Sequence, residues 1–185
     1  MRARDGKAAK QPSLARQVQI VRPEAALAGS RLAPVTAFIG LGANLGPREE
    51  TLRRALELLA AEQGVEVVAV SRYRETDPVG VVDQPPFVNA AAAVETSLEP
   101  RELLDTLLGI EQELGRARDG TRSGPRTVDL DLLVYADEIV DDPGLRVPHP
   151  RLHERRFALE PLAELAPDLV VPGYGPVSEL LAHLD

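Results

Sequence analysis

Cysteine and tryptophan are absent from this chain of 185 residues, and lysine occurs only at Lys7 and Lys10. The absence of cysteine excludes disulfide bonds, thiolate zinc sites, iron–sulfur clusters and a cysteine nucleophile. Because no lysine follows Lys10, the rest of the chain cannot contain a P-loop lysine, the strand lysine of protein kinases or a Schiff-base lysine. Any nucleotide chemistry there must therefore use arginine side chains and metal ions.

Long apolar runs are also missing, since none approaches the roughly 20 residues that a helix needs to span a bilayer. Hydrophobic residues make up 44% of the chain and charged residues 27%, which is ordinary for a globular protein. A chain of this length can form one domain with a sizeable core. We expect a single cytoplasmic domain that acts as a monomer and has no membrane partner.

The charge of the chain is unevenly placed. Residues 1–34 hold seven basic and two acidic residues, whereas residues 35–185 hold fourteen arginines and twenty-seven acidic residues. The first segment lacks periodic apolar residues and is interpreted as a disordered leader, with a transit peptide as the sharper alternative. The second segment is interpreted as one domain, and its acidic charge argues against a nucleic-acid partner.

Hydrophobic periodicity and the positions of proline and glycine predict two strand–helix–strand units. The predicted strands are 35–41, 65–76, 87–96 and 128–135, and the predicted helices are 47–62 and 100–115. Beyond them we predict a hairpin of 138–140 with 145–147, a helix at 155–165 interrupted near Pro161, and a short helix from Ser178. This order predicts an α+β fold: a ferredoxin-like βαββαβ sandwich with an antiparallel sheet and helices on one face, plus a C-terminal hairpin and short helices.

The stretch 115–135 joins two chemically opposite halves. Its first half is a glycine-containing loop that carries Arg116, Arg118, Arg122 and Arg126. Its second half alternates like a β-strand, which predicts Val128, Leu130, Leu132 and Val134 on one face and Asp129, Asp131, Leu133 and Tyr135 on the other. The two carboxylates would then project from one face, with Cβ atoms roughly 7 Å apart.

Two interpretations of this stretch remain open. The first interpretation is a magnesium–polyphosphate site. Carboxylates on a rigid strand supply the hard oxygen ligands that Mg²⁺ prefers, and arginine guanidinium groups bind phosphate oxygens in a bidentate way. The second interpretation is the solvent-exposed face of an ordinary amphipathic strand beside a solvated basic loop. Leu133 and Tyr135 on the predicted aspartate face favour the first, because a partly covered face would leave two carboxylates in need of a cation.

Five ordered motifs carry a resemblance to one family. They are FIGLGANLG from Phe38, ETDPVG with DQPPFVNA, IEQELGR, GPRTVDLDLLVY and VPHPRLHERRF. The chain resembles the 6-hydroxymethyl-7,8-dihydropterin pyrophosphokinases of the folate pathway from about Ala37 to its C-terminus. The resemblance implies a ferredoxin-like fold, transfer of pyrophosphate from ATP to a pterin alcohol with release of AMP, two Mg²⁺ ions and no covalent intermediate.

The resemblance also implies roles for individual residues. Asp129 and Asp131 would hold both metal ions and, with Arg118 and Arg126, form the catalytic group. The implied ATP contacts are Glu111, Arg116, Arg118, Arg126, Leu132, Arg146, His149 and Arg155. The implied pterin contacts are Thr76, Asp77, Val79, Phe87, Asn89, Ser123 and Phe157, of which the two phenylalanines would sandwich the heterocycle.

Three positions depart from the family pattern. Ser123 stands where some members have a tryptophan that closes over the pterin, Phe87 where some have tyrosine, and Arg146 where some have a small hydroxyl residue. Two rival functions also remain. One is a metal-dependent phosphohydrolase with Asp129, Asp131, His149 and His153 as ligands, and the other is a ferredoxin-like binding module without enzyme activity.

Overall fold

An antiparallel sheet of five strands forms the centre of the computed structural model, which describes residues 33–79, 83–116 and 125–184. The strands and helices, in chain order, are β1 (Val35–Ala43), α1 (Arg48–Ala61), β2 (Val65–Val70), β3 (Arg74–Thr76), β4 (Phe87–Thr96), α2 (Pro100–Glu113), β5 (Asp129–Tyr135), β6 (Val140–Asp142), β7 (Leu145–Val147), α3 (Arg156–Leu165), β8 (Val170–Val171), β9 (Gly175–Pro176) and α4 (Val177–Ala182). The sheet has the order β2-β4-β1-β5, and β3 pairs with β4 beside β2. The predicted α+β class with an antiparallel sheet is therefore confirmed.

The two long helices form where their sequences favour them. Helix α2 begins with Pro100, whose missing N–H costs nothing at the first helical position. Glu99 and Glu102 form a reciprocal capping box at the same end. Leu103 and Leu107 recur at helical spacing and are fully buried, so α2 presents an apolar stripe to the sheet.

Both faces of the sheet are covered, which corrects the expectation of helices on one face only. On the α1/α2 face, alternate residues of β1 such as Ile39 and Leu41 pack with Leu52 and Leu107. On the other face, which we call the α3 face, Phe38 packs with Leu159. The apolar stripe of α3 needs a partner, and the small residues on this side of the sheet give it room.

A bulge in β5 corrects the predicted division of its side chains. The register passes from Leu132 opposite Ile39 to Val134 opposite Phe38, so Leu133 is the extra residue. Beyond the bulge the parity reverses: Tyr135 joins Leu132 on the α1/α2 face, while Val134 joins Leu133 on the α3 face. Alternation cannot reveal this change, because all four residues are apolar or aromatic.

The predicted strand 65–76 is divided into β2 and β3. The break occurs at Ser71, whose hydroxyl oxygen accepts the N–H of Ala91 at 2.9 Å where a strand would offer a carbonyl. The Ser71 N–H donates to the Ala91 carbonyl oxygen at 2.9 Å. Because both bonds of Ala91 go to one serine, the regular ladder stops there and resumes at Arg74 opposite Asn89.

Helix α3 continues through Pro161, so the predicted interruption is wrong. Pro161 lies inside the helix and is buried, between Leu159 and Leu162, which are both fully buried. The burial of this apolar stripe outweighs the single backbone hydrogen bond that proline removes. A short hairpin of β8 with β9, which the sequence analysis did not predict, follows this helix. None of the helices in the ranges that the structure describes is long and apolar enough to cross a bilayer.

The cover on the α3 face can be tested by truncating its central leucine. We expect Leu159→Ala to lower the free energy of unfolding by about 2–5 kcal/mol, because it leaves a cavity under a fully buried side chain. Urea denaturation would measure the loss, with Leu107→Ala as the reference for the α1/α2 face and Glu113→Ala as the exposed control. A loss for Leu159→Ala no larger than that of the control would show that α3 is not part of the core.

Candidate functional site

Three strands bring polar residues together on the α3 face. Gly42 of β1 lies opposite Asn89 of β4 on one side and opposite Asp129 of β5 on the other. A Cβ atom added to Gly42 would lie 3.0 Å from the Asn89 Oδ1 atom and 3.9 Å from the Asp129 Cβ atom. Glycine at this position therefore leaves space between an amide and a carboxylate on neighbouring strands.

Asp129 and Asp131 form the charged centre of the site, and both side chains remain partly exposed, at 22% and 35%. Arg126 donates to Asp129 Oδ2, and Arg116 Nη1 lies 2.7 Å from Asp129 Oδ1. Arg155 Nη1 donates more weakly to Asp131 Oδ2, at 3.4 Å. The predicted projection of both carboxylates from one face is consistent with these contacts, and each carboxylate meets at least one guanidinium group.

Glu111 supports this centre from inside α2. Its side chain is 1% exposed, and its Oε1 atom accepts the N–H of Leu130 at 2.8 Å. The same oxygen accepts a hydrogen bond from Arg116. A buried carboxylate needs such partners, and here they fix both the start of β5 and the arginine that contacts Asp129.

Burial raises the pKa of Asp131 to about 6, and the negative charge of Asp129 acts in the same direction. Arg155 opposes this rise without cancelling it. The Asp131 carboxyl therefore ionises less readily than an ordinary aspartate, and a cation bound beside it and Asp129 would favour its charged form. Their hard oxygen atoms fit Mg²⁺, which is bound in proteins by one or two carboxylates together with substrate phosphates.

His149 is attached to the bulge of β5, because its N–H donates to the Leu133 carbonyl oxygen at 2.8 Å. Its Nδ1 atom accepts the N–H of Arg151 at 3.2 Å, and its Nε2 atom lies 3.5 Å from Arg155 Nη1. Burial, followed by the charge of Arg155, lowers the pKa of His149 to about 4. The imidazole is therefore neutral near pH 7 and can accept a hydrogen bond.

Two cavities adjoin the carboxylate pair. The smaller, of about 330 Å³, is lined by Asp129 together with Gly42, Thr76, Asp77, Val79, Phe87, Asn89, Arg126, Arg151, Glu154, Arg155, Arg156, Phe157 and Glu160. The larger, of about 700 Å³, is lined by Asp131 together with Leu104, Leu132, Asp141, Asp142, Pro143, Gly144, Leu145, Arg146, His149 and Pro150. Each carboxylate thus lines a different cavity, and the pair lies at the boundary between them.

The smaller cavity has two aromatic walls. Phe87 and Phe157 line it from β4 and α3, and the guanidinium carbons of Arg126 and Arg155 lie 5.8 and 5.7 Å from their respective ring centroids. Asn89 donates to the Thr76 hydroxyl oxygen at 2.7 Å, which places both polar groups at one edge of the cavity. Flat rings with polar groups at one edge suit a planar heterocycle.

Comparison with known proteins shows which family this chain belongs to. The family described as 7,8-dihydro-6-hydroxymethylpterin-pyrophosphokinase (HPPK) matches residues 38–167, more than half of the chain. The chain belongs to the HPPK family. Pyrophosphokinases of this name from Pseudomonas aeruginosa and Methylorubrum extorquens are 46% and 48% identical to it over 145 and 149 residues. The matches cover 78% and 80% of this chain, and 89% and 93% of those relatives.

Solved structures agree with the fold of this HPPK-family chain. An HPPK-DHPS crystallised with substrates has a TM-score of 0.64 at 12% identity, and HPPK-DHPS from Plasmodium falciparum has 0.65 at 12%. The matches cover 82% and 87% of this chain but only 43% and 47% of the solved chains. The chain spans less than half the length of these solved proteins, and at such low identity the likeness shows the fold alone.

Most of the residues that the HPPK resemblance singled out lie around the two cavities. The six residues of the pterin group that the structure describes all line the smaller one: Thr76, Asp77, Val79, Phe87, Asn89 and Phe157. Of the ATP group, the larger cavity is lined by Leu132, Arg146 and His149, and the smaller cavity by Arg126 and Arg155. The remaining two described members, Glu111 and Arg116, support Asp129. Arg118 and Ser123 lie outside the described residues.

Several lining residues escaped sequence reasoning. Gly42, Arg151, Glu154, Arg156 and Glu160 all line the smaller cavity. The motifs FIGLGANLG and VPHPRLHERRF contained the first four, but nothing in the spacing showed which residues of a motif face the cavity. Glu160 follows Phe157 by one helical turn, so helical periodicity could have found it once Phe157 was placed there.

The rival phosphohydrolase ligand set is not assembled. Among the residues that the structure describes, no group of three or more His, Asp and Glu side chains is placed to hold a metal ion. His153 stacks on Tyr174 with ring centroids 4.7 Å apart, and it belongs to a short 3₁₀ helix (Leu152–Glu154) that excludes His149. The two histidines therefore do not share the helical face that this rival requires.

The neutral His149 of this HPPK-family chain predicts a pH effect on stability. Its pKa in the folded state, about 4, lies below its ordinary value of 6.5, so the folded state binds fewer protons than the unfolded state between these values. Its stabilising contribution is complete above pH 6.5 and is lost as the pH falls toward 4. We expect the wild type to lose roughly 1–2 kcal/mol more than His149→Gln over this interval.

Urea denaturation across that pH interval would measure the difference. His183→Gln is the matched control, because His183 is exposed and directly follows the last helix. Stability profiles of wild type and His149→Gln that run parallel would contradict the assignment of a buried neutral imidazole.

Proposed function

We propose that this chain transfers a pyrophosphoryl group from ATP to the hydroxyl of 6-hydroxymethyl-7,8-dihydropterin in folate biosynthesis, releasing AMP. The observation that carries this proposal is the carboxylate pair on β5, with Asp129 lining the smaller cavity and Asp131 the larger. A transfer between two bound substrates needs two adjoining binding sites, because the transferred group must pass directly from one substrate to the other. Membership of the HPPK family gives the reaction class.

The smaller cavity is assigned to the pterin. Phe87 and Phe157 would stack on the two faces of the ring, and Asn89 with Thr76 would bind its polar edge. Stacking of this kind contributes about 0.5–1.5 kcal/mol beyond the burial of area. Arg126 and Arg155, whose guanidinium groups lie over the two phenyl rings, would turn to phosphate oxygens when both substrates are bound.

The larger cavity is assigned to ATP. Its volume of about 700 Å³ suits a nucleotide, and Leu132 offers an apolar wall for the base. Arg146 lines the same cavity, where it is ion-paired with Asp141 at 2.7 Å, and it is assigned to the ATP contacts. The neutral His149 would accept or donate one hydrogen bond without adding charge, while Arg155 beside it supplies the cation for the phosphate chain.

Asp129 and Asp131 are the residues that would hold two Mg²⁺ ions. Bound Mg²⁺ would neutralise phosphate charge and help to align the attacking hydroxyl with phosphorus. The side chains of the protein position the polyphosphate. Arg116 and Arg126 contact Asp129 and would bind the polyphosphate oxygens as they approach. Arg118 stays a prediction for the same role.

In the proposed reaction, the hydroxyl oxygen of the pterin attacks the β-phosphorus of ATP. The new oxygen–phosphorus bond forms as the bond between the β-phosphorus and the α–β bridging oxygen breaks, so AMP leaves and the hydroxyl proton is released. No residue of the chain becomes covalently modified. The enzyme accelerates the step by positioning and charge stabilisation, as in other phosphoryl transfers.

We also propose that the core is ferredoxin-like and that 35–185 is the catalytic domain. The units β1-α1-β2 and β4-α2-β5 form the βαββαβ order, and α1 and α2 pack on the same face of the sheet. The strand order β2-β4-β1-β5 is what interleaving of these two units produces. Monomeric state, cytoplasmic location and the absence of a nucleic-acid partner remain predictions.

Chromatography of the nucleotide products tests the proposed function directly. With ATP, Mg²⁺ and the pterin alcohol, we expect AMP to appear in equal amount to the pterin pyrophosphate. Omission of the pterin should stop AMP formation, because the hydroxyl is the attacking group. Formation of ADP or free phosphate at the same rate without the pterin would instead support a phosphohydrolase.

Removal of either carboxylate should separate activity from folding. We expect Asp129→Ala and Asp131→Ala to lower turnover by about 100-fold or more, because each removes a negative group that binds the metal–phosphate complex. The fold should survive, because the buried residues of β5 are unchanged. AMP formation measures turnover and circular dichroism measures folding, with Asp137→Ala in the exposed turn after β5 as the control. Unimpaired turnover in either variant would refute the metal role.

A further inference from the structure

Asn44 is a buried polar residue that the substrate assignments above do not use. It follows β1 directly, and its side chain is only 2% exposed. A buried amide without partners would be strongly destabilising. The partners of Asn44 come from two segments that are distant in the sequence. One contains Arg126, which lines the smaller cavity, and the other leads to Phe87, which also lines it.

The amide nitrogen of Asn44 contacts the segment that leads into β4. Nδ2 donates to the Gln84 Oε1 atom at 3.0 Å and to the Pro85 carbonyl oxygen at 3.1 Å. An asparagine amide has two N–H donors, so these two bonds use its full donor capacity. Phe87 follows Pro85 by two residues, and its ring is one wall of the cavity assigned to the pterin.

The other atoms of Asn44 contact the backbone of Arg126. The Asn44 Oδ1 atom accepts the Arg126 N–H at 2.8 Å, and the Asn44 N–H donates to the Arg126 carbonyl oxygen at 3.1 Å. Both backbone polar groups of Arg126 are therefore bonded to one residue. The Arg126 side chain then extends from this fixed backbone to Asp129 and over the ring of Phe87.

Only an amide can make this set of side-chain bonds. Aspartate has the acceptor but lacks the two donors, and an apolar residue of similar size has neither. Arg48 holds the same segment independently, since it donates to the Pro86 carbonyl oxygen at 2.7 Å and to Glu75 at 2.8 Å. Loss of the Asn44 side chain should therefore shift the segment rather than unfold it.

We propose that Asn44 is a positioning residue of the transfer reaction. One side chain fixes the Arg126 backbone and the Gln84–Pro85 segment relative to each other. The Arg126 guanidinium group is thereby held at a fixed position relative to the pterin ring. The inference rests on the proposed function, because it needs a pterin in the smaller cavity. It predicts that one substitution at Asn44 impairs both pterin binding and the chemical step.

The test uses three variants of the full chain. Asn44→Ala removes all the side-chain bonds of Asn44, Gln84→Ala removes one of them, the bond from Nδ2 toward β4, and Thr36→Ala is a control. Thr36 lies on β1, the strand that Asn44 follows, and its hydroxyl donates to Glu95 at the exposed surface. For each variant, titration gives the dissociation constant of the pterin alcohol in the presence of a non-hydrolysable ATP analogue, and single-turnover kinetics give the rate of transfer at saturating pterin.

We expect Asn44→Ala to weaken pterin binding roughly fivefold or more and to slow the single turnover by about tenfold. Gln84→Ala should weaken pterin binding by roughly threefold while leaving the single turnover within about twofold of wild type, because Arg126 keeps both of its backbone bonds. Thr36→Ala should change neither constant. A merely structural role for Asn44 would lower the melting temperature and leave both constants of the folded protein unchanged.

Two results would overturn the proposal. The first is a folded Asn44→Ala variant whose pterin dissociation constant and single-turnover rate equal those of wild type. The second is a Gln84→Ala variant that binds the pterin as tightly as wild type. This second result decides the question even if Asn44→Ala does not fold. Failure of the proposed function looks different. In that case the wild type itself makes no AMP with the pterin alcohol, whatever the variants do.

Discussion

The repulsion between two carboxylates on one short strand is the constraint on which the rest of the structure depends. Asp129 and Asp131 lie on the α3 face of β5, where burial and mutual charge disfavour ionisation of the second one. Three arginines from three different segments converge on the pair, at positions 116, 126 and 155. The pKa of Asp131 nevertheless stays raised. A bound cation would favour the ionised form of this carboxylate, which supports the proposal of a cation site on the strand.

The fold serves this pair through small residues and one bulge. Gly42 leaves space beside Asp129, and the alanines of β4 let strands and helices approach closely. The bulge at Leu133 offers its carbonyl oxygen to His149, and this bond holds the neutral imidazole at the larger cavity. Helix α3 closes the same face with Phe157 and Arg155 at its start. The sheet is covered on both faces, and the smaller cavity opens beside Asp129 on the α3 face.

The sequence predicted the elements that follow from periodicity and the residues that belong to strong motifs. The carboxylate strand, the capped helix α2 and the two phenylalanines were all accessible this way. Three features were not, because each depends on contacts across the chain: the bulge at Leu133 within a uniformly apolar run, the break at Ser71 caused by a hydroxyl replacing a carbonyl, and the continuation of α3 through Pro161 by burial. The bonds of Asn44 to residues 40 and 82 positions away leave no local pattern either.

The proposed function requires a divalent cation at the boundary between the two cavities, held by the carboxylate pair. The most direct measurement is anomalous diffraction from crystals grown with Mn²⁺, a non-hydrolysable ATP analogue and the pterin alcohol. We expect metal density in contact with Asp129 and Asp131, between the nucleotide and the heterocycle. Metal density away from both aspartates, or a pterin bound outside the cavity of Phe87 and Phe157, would contradict it.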